Sequence, residues 1–153
     1  MTLLLGNQTI FTIEAELDAV MTLGGTPYGE RRFVGITGGT VKGRKLNGRI
    51  LPGGADWQIV RRDGAADIQA RYIIEADTGA HIVVNSAGLR HGPPDVLEKL
   101  ARGDKVDPSD YYFRTVMRFE TADPAADWLN RILALARGAR EARSVRLDVY
   151  EVE

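Results

Sequence analysis

The chain has no cysteine. That excludes disulfides, thiolate metal sites and a cysteine nucleophile, and it fits the cytoplasm, the location expected. Imidazole is almost as scarce. His81 and His91 are the only two histidines, and no His-x-x-x-His or His-Glu-x-x-His spacing occurs, so no metal site is expected. Ser86 sits in Asn-Ser-Ala-Gly rather than in a Gly-x-Ser-x-Gly elbow, which argues against a serine hydrolase. No apolar run approaches the roughly 20 residues of a membrane helix. The opening Met-Thr-Leu-Leu-Leu-Gly-Asn-Gln has no basic region and too short an apolar run for a signal peptide. A net charge of -1 gives no reason to expect nucleic acid or a membrane surface as a partner. Lysine is also rare, with four residues against 20 lysines and arginines together. Base composition accounts for that bias; the sharper reading is that some arginines grip an anionic ligand, because a guanidinium forks onto carboxylate or phosphate.

What the chain does have is length for one domain with a real core over residues 1–153, an ordinary 44% apolar content, and a glycine-dense stretch at 35–57. Seven glycines fall there. Glycine weakens both helices and strands, so the stretch needs sharp bends or close backbone approach. Gly38–Lys45 has the glycine spacing of a phosphate loop, but arginine and lysine stand where lysine and serine or threonine belong, and the strand–loop–helix setting is missing. Glycine-kinked strands are the better reading.

Period-two alternation marks the strands. Phe11, Ile13, Ala15 and Leu17 share one face of residues 9–18. Ala66, Ile68, Ala70, Tyr72 and Ile74 share one face of residues 65–76. Phe113, Thr115, Met117 and Phe119 share one face of residues 111–121. Shorter strands are predicted at 32–37, 47–51, 57–61, 80–87 and 145–152, with a loop over 21–30. Hairpin turns are expected at Arg62-Asp63-Gly64 and Asp77-Thr78-Gly79. A short helix is predicted over 96–102, with Asp95 as its cap and Gly103 ending it. Residues 125–143 are ambiguous, because Trp128, Leu129, Ile132, Leu133 and Ala136 recur at helical spacing. The sum is an all-β chain, a closed antiparallel barrel or a sandwich of about nine short strands.

The candidate chemistry lies on polar positions beside these strands. Asp56-Trp57 follows a Pro-Gly-Gly turn. The aspartate either caps the turn or acts as a base at a pocket mouth, and the tryptophan either packs in the core or walls the pocket. Arg71 and Glu75 share one strand face, as do Tyr112, Arg114, Arg118 and Glu120. Such a face is normally solvated. The alternative is a polar interior, where charges are costly unless paired or occupied.

In order along the chain come Gly35-Ile-Thr-Gly-Gly, Gly48-Arg-Ile-Leu-Pro-Gly-Gly-Ala-Asp-Trp57, Ala70-Arg-Tyr72, Tyr112-Phe-Arg-Thr115, Phe119-Glu-Thr121 and Trp128-Leu-Asn130. This combination resembles the domain-of-unknown-function 3237 family of small bacterial proteins, also grouped as uncharacterised protein family 0311. The resemblance implies a closed antiparallel β-barrel of eight to nine strands with one or two short helices, broadly like the calycin and allene-oxide-cyclase barrels. It also implies a strand over 130–137 after a helical turn at 124–128. It implies no settled activity. The polar character of the matching positions points to Asp56, Arg71, Tyr112, Arg114, Glu120 and Asn130 as the lining of a pocket.

Two functions fit. One is a cofactor-free isomerase, cyclase or hydratase/lyase acting on a small carbonyl or carboxylate metabolite. There Asp56 or Glu120 is the base, Tyr112 a proton donor, and Arg71 and Arg114 hold the developing negative charge; Trp57 is an apolar wall and Asn130 a further ligand contact. The other is a non-catalytic carrier of a small acid. A homodimer is expected from the prevalence of two-fold assemblies alone.

Overall fold

The computed structural model describes residues 4–153. Nine strands form one antiparallel sheet. They are β1 (Phe11–Thr26), β2 (Gly29–Gly43), β3 (Gly48–Ile50), β4 (Gly54–Val60), β5 (Ala66–Ala76), β6 (His81–His91), β7 (Tyr112–Thr121), β8 (Leu133–Arg140) and β9 (Ser144–Val152). Helix α1 (Pro94–Ala101) and two 3₁₀ segments, Pro108–Asp110 and Pro124–Arg131, complete the chain. The sheet runs β1-β9-β8-β7-β6-β5-β3-β2-β4, and β1 also pairs with β2 and β5 with β4.

Register fixes which side chains share the buried face. One row across the sheet reads Gln58, Ile68, Gly88, Thr115, Ala136 and Val149. Because the pleat alternates with period two, the rows two residues away lie on the same face. One end of that face is packed solid. Ile13, Ile74, Ile82, Val84 and Leu129 are fully buried there, and the Phe11 and Phe119 rings meet edge to face at 5.7 Å. Each such side chain contributes about 1.5–3 kcal/mol through burial.

The glycine stretch is where strands approach most closely. Gly39 has φ +138°, and a Cβ there would overlap the Glu14 carbonyl of β1. A Cβ on Gly54 would sit 2.5 Å from that of Tyr72 on β5. Neither position accepts a side chain without a backbone shift.

Four boundaries differ from expectation. Residues 21–30 are not a loop: β1 and β2 run on into a long hairpin arm, turning at Pro27-Tyr28. The register shifts between Leu17 and Val20 and between Thr22 and Gly24 show that the irregular stretch is absorbed as bulges instead of ending the strand. Helix α1 begins at Pro94, with Pro93 at the cap and no side-chain capping bond. Asp95 therefore lies inside the first turn and favours the helix dipole rather than capping it. Gly103, φ +81°, follows the helix as expected. Strand β6 continues four residues past the predicted end, to His91. Beyond Trp128-Leu-Asn130 the chain is a strand, as the resemblance implied, but three residues later than 130–137. Ala134 and Ala136 are buried on its inner side, so tertiary packing overrides helix propensity.

Candidate functional site

The other end of the buried face is polar. The Pro52-Gly53-Gly54 turn delivers Asp56 onto β4 opposite Val34 of β2 and Ala70 of β5, with Gln58 two residues on and pointing to the same side. Gln58 is 6% exposed, and its Nε2 donates to Asp56 Oδ2 at 2.7 Å. The second carboxylate oxygen, Oδ1, is buried and has no hydrogen-bond partner. Arg90 ends the inner row of β6, and Arg140 ends that of β8. The Arg90 guanidinium lies 5.5 Å from the centre of the Phe113 ring. That ring occupies space released by Gly138, whose Cβ would fall 2.6 Å from it. The backbone N–H of Arg140 donates to the Tyr111 hydroxyl at 2.8 Å.

Burial governs the electrostatics. It pushes the Asp56 carboxyl above its ordinary value of 3.8, against the opposing pull of the Gln58 hydrogen bond, of Arg90, of the nearby Gln69 backbone N–H and of Arg140. Burial likewise lowers Arg90 to about 10, and Arg140 pushes the same way while Asp56 resists. Arg140 is also lowered, by burial first, with Asp56 and Tyr111 resisting. Mutual attraction alone would move all three in the opposite directions. The cluster is therefore an under-compensated set of half-buried charges, two cations to one anion. Two further hydroxyls on the buried face, Tyr72 Oη and Thr115 Oγ1, also lack partners, and burial raises the Tyr72 phenol further above its ordinary value.

A cavity of about 1120 Å³ opens at this end. Arg32, Gln58, Arg90 and Arg140 line it together with apolar groups from α1, Leu97 and Leu100. Asp56 stands behind Gln58 and is not among the lining residues. The carboxylates of Asp18, Asp63 and Glu98 line it too, so its walls mix charged and apolar groups. Among the described residues no group of three or more His, Asp or Glu could hold a metal ion, and no helix is long and apolar enough to cross a membrane.

Residues 7–152 match the family described as protein of unknown function, DUF3237. The chain belongs to this family. A UPF0311 protein of Rhodopseudomonas palustris is 43% identical over 152 residues, which cover 99% of each chain. The fold agrees with solved structures. A conserved protein of unknown function from R. palustris superposes with a TM-score of 0.92 at 42% identity, covering 100% of both chains. A β-barrel-like protein from Acinetobacter baumannii gives 0.84 at 42% identity, covering 97% of this chain and 96% of that one. An enzyme from Penicillium herquei gives 0.73 at 17% identity over 100% and 98%, a likeness of fold alone.

In this DUF3237 chain, Asp56 is the one sequence-predicted site residue within the Arg90–Arg140 cluster. The others sit elsewhere. Trp57 lies on the outer side of β4, 48% exposed, its ring edge-on to Phe33 at 4.8 Å. Arg71 is exposed on the side of β5 opposite Ala70 and Tyr72. On β7 the pleat turns Phe113, Thr115, Met117 and Phe119 inward, so Tyr112, Arg114 and Glu120 face out. Tyr112 stacks on His91 at 5.0 Å, and the Arg114 guanidinium lies over its ring at 5.2 Å while donating to the Phe113 carbonyl. Asn130 holds the 3₁₀ segment to β7: its Oδ1 accepts from Thr121 N–H, and its Nδ2 donates to the Thr121 carbonyl and to Asp127. None of these six comes near the cavity.

Sequence reasoning missed Arg90, Arg140, Gln58 and Arg32. For the first two a signal existed. Arg90 is in phase with Ile82, Val84 and Ser86, and Arg140 with Ala134, Ala136 and Gly138. Ending the strands at residues 87 and 137 hid both.

Proposed function

We propose that this chain is a closed β-barrel that binds a small carboxylate or carbonyl-containing metabolite at its polar end, and that Asp56 serves as a general base there. Pairing of β1 with both β9 and β2 supports the closed form. The observation that carries the functional reading is the orphaned Oδ1 of Asp56, buried beside two guanidiniums that outnumber it. A carboxylate held above its ordinary pKa is a stronger base once ionised. Arg90 and Arg140 would take the carboxylate or enolate oxygen. Asp56 would remove a proton from the carbon next to the carbonyl, and the guanidiniums would hold the charge that moves to oxygen. Return of the proton at another carbon is isomerisation; expulsion of a neighbouring leaving group is a lyase step; attack on an internal acceptor closes a ring. Each outcome balances without a cofactor.

One observation favours a carrier instead. Gln58, not Asp56, faces the cavity, so Asp56 could serve only to hold the amide and offset the arginines. Proton exchange separates the two readings. In D₂O, the protein with a panel of small 2-oxo acids should accelerate exchange of the protons beside the ketone, followed by ¹H NMR. Asp56→Asn should still bind the acids yet lose the acceleration by about 10²-fold or more. Binding without exchange in the wild type would leave the carrier reading, and equal exchange in both proteins would remove Asp56 as the base.

A further inference from the structure

The hairpin arm formed by the distal halves of β1 and β2 carries a surface that the site does not explain. Strand β9 pairs with β1 only from Phe11 to Glu16, and the Leu17 N–H to Arg143 carbonyl bond is the last backbone hydrogen bond on that side among the described residues. Beyond it, β1 has β2 along one edge and, among the described residues, no strand along the other. Only the Ala19 N–H is diverted, onto Asp18 Oδ1. Edge strands normally carry charges or proline that block further pairing. Here residues 19–29 hold no charged side chain, in a chain that is 27% charged, and the lone proline, Pro27, is confined to the turn.

The same arm is apolar. Four of the eleven large hydrophobic side chains exposed among the described residues lie on it, Val20, Met21, Leu23 and Tyr28, and a fifth, Trp57, stands beside it on β4. Met21 and Phe33 on its outer face and Trp57 on adjoining β4 are cross-strand neighbours. Such residues gather at interface centres, where charge is depleted. A concentrated patch of this kind marks an interaction site, whereas scattered exposed apolar residues do not.

We infer that the free edge of β1 pairs with the same edge of a second copy of this chain, antiparallel about a two-fold axis. Two features select a copy of itself over a foreign partner. A two-fold axis through an antiparallel edge brings each segment against itself, and a segment without charge meets no like-charge repulsion in that arrangement. A binder of a different sequence would more often be selected by complementary charges, and the edge offers none. The edge also borders the cavity: Leu17, Ala19, Val20 and Thr22 line it. The second copy would thus wall the open side of the mouth, and each site would be complete only in the pair.

The test is the mass of the full chain by light scattering after size exclusion, across the micromolar range. The wild type should run at twice its 16.8 kDa mass. Met21→Lys/Leu23→Lys should run at half the wild-type mass with an unchanged far-ultraviolet circular dichroism spectrum. Ile73→Lys, an exposed apolar site on β5, should leave the wild-type mass unaltered. Amide hydrogen exchange over residues 20–26 of the wild type should slow as concentration rises, a readout that needs no variant. A monomeric wild type, a double variant that stays dimeric, or exchange in that segment independent of concentration would overturn the inference.

Discussion

Arg90→Met should abolish the rise in melting temperature that small carboxylic acids give the wild type, and it should not destabilise the free protein. Two quantities move in opposite directions because the residue has two roles. In the free protein its guanidinium is desolvated, held down to about 10, and shares one carboxylate with Arg140. Methionine keeps an apolar stem against Phe113 and leaves Arg140 and Asp56 as a balanced pair. Replacing an under-compensated half-buried charge with an apolar group of similar size should be neutral or stabilising, here by at most about 1 kcal/mol. For the ligand the same change removes a charge-assisted contact worth about 1.5–3 kcal/mol, which is roughly tenfold to a hundredfold in affinity. Thermal melts with and without acid read both effects in one experiment. A variant that is markedly less stable and binds acids as before would assign Arg90 to the fold alone.

Asp56→Asn should remove a pH dependence as well as a proton-transfer step. The carboxyl is raised above its ordinary 3.8 in the folded protein, chiefly by burial. Below 3.8 it is protonated in both states. As pH rises past that value, the unfolded chain gives up its proton first while the folded chain retains it, so stability falls until the folded carboxyl ionises and is level above that. Asparagine resembles the protonated form at every pH. The variant should therefore match the wild type in acid and exceed it at neutral pH, with the gap opening between 3.8 and the folded pKa. Denaturant midpoints measured on both proteins across that window test the sign. A variant less stable than the wild type at neutral pH would mean that attraction to Arg90 and Arg140 outweighs burial, and that the cluster is a structural ion network.

Taken together, these two expectations describe a stability cost concentrated at one place. Removing either charge relieves the free protein and impairs the site, which is the pattern of a cluster maintained for a ligand.

How far this was legible in the sequence follows from what alternation can encode. Ala66, Ile68, Tyr72 and Ile74 on β5, and Phe113, Thr115, Met117 and Phe119 on β7, were assigned to one face by period alone, and all eight are buried. The same rule already placed Arg71, Tyr112, Arg114 and Glu120 on the opposite face. Their polar character argued for a pocket, but side-chain chemistry cannot reverse a pleat. Arg90 and Arg140 escaped notice because a charge at a strand end reads as the end of the strand. Only the paired neighbours, Phe113 opposite Arg90 and Val145 opposite Arg140, extend those strands far enough to bring both guanidiniums inside. The arm was read as a loop because Gly24, Gly25 and Pro27 are turn residues; in the fold two of them sit within or beside bulges of a continuous ladder. Asp56 was found because the Pro-Gly-Gly turn before it fixes where the next strand starts, and that signal is local.

The central claim is that Arg90 and Arg140 hold the anionic group of a small metabolite beside Asp56. A co-crystal structure with whichever carboxylic acid raises the melting temperature most tests it directly. The carboxylate oxygens should lie within hydrogen-bond distance of both guanidiniums, in the cavity bordered by Gln58 and α1. The acid bound instead on the outer face, against Trp57, Arg71 or Tyr112, would contradict it.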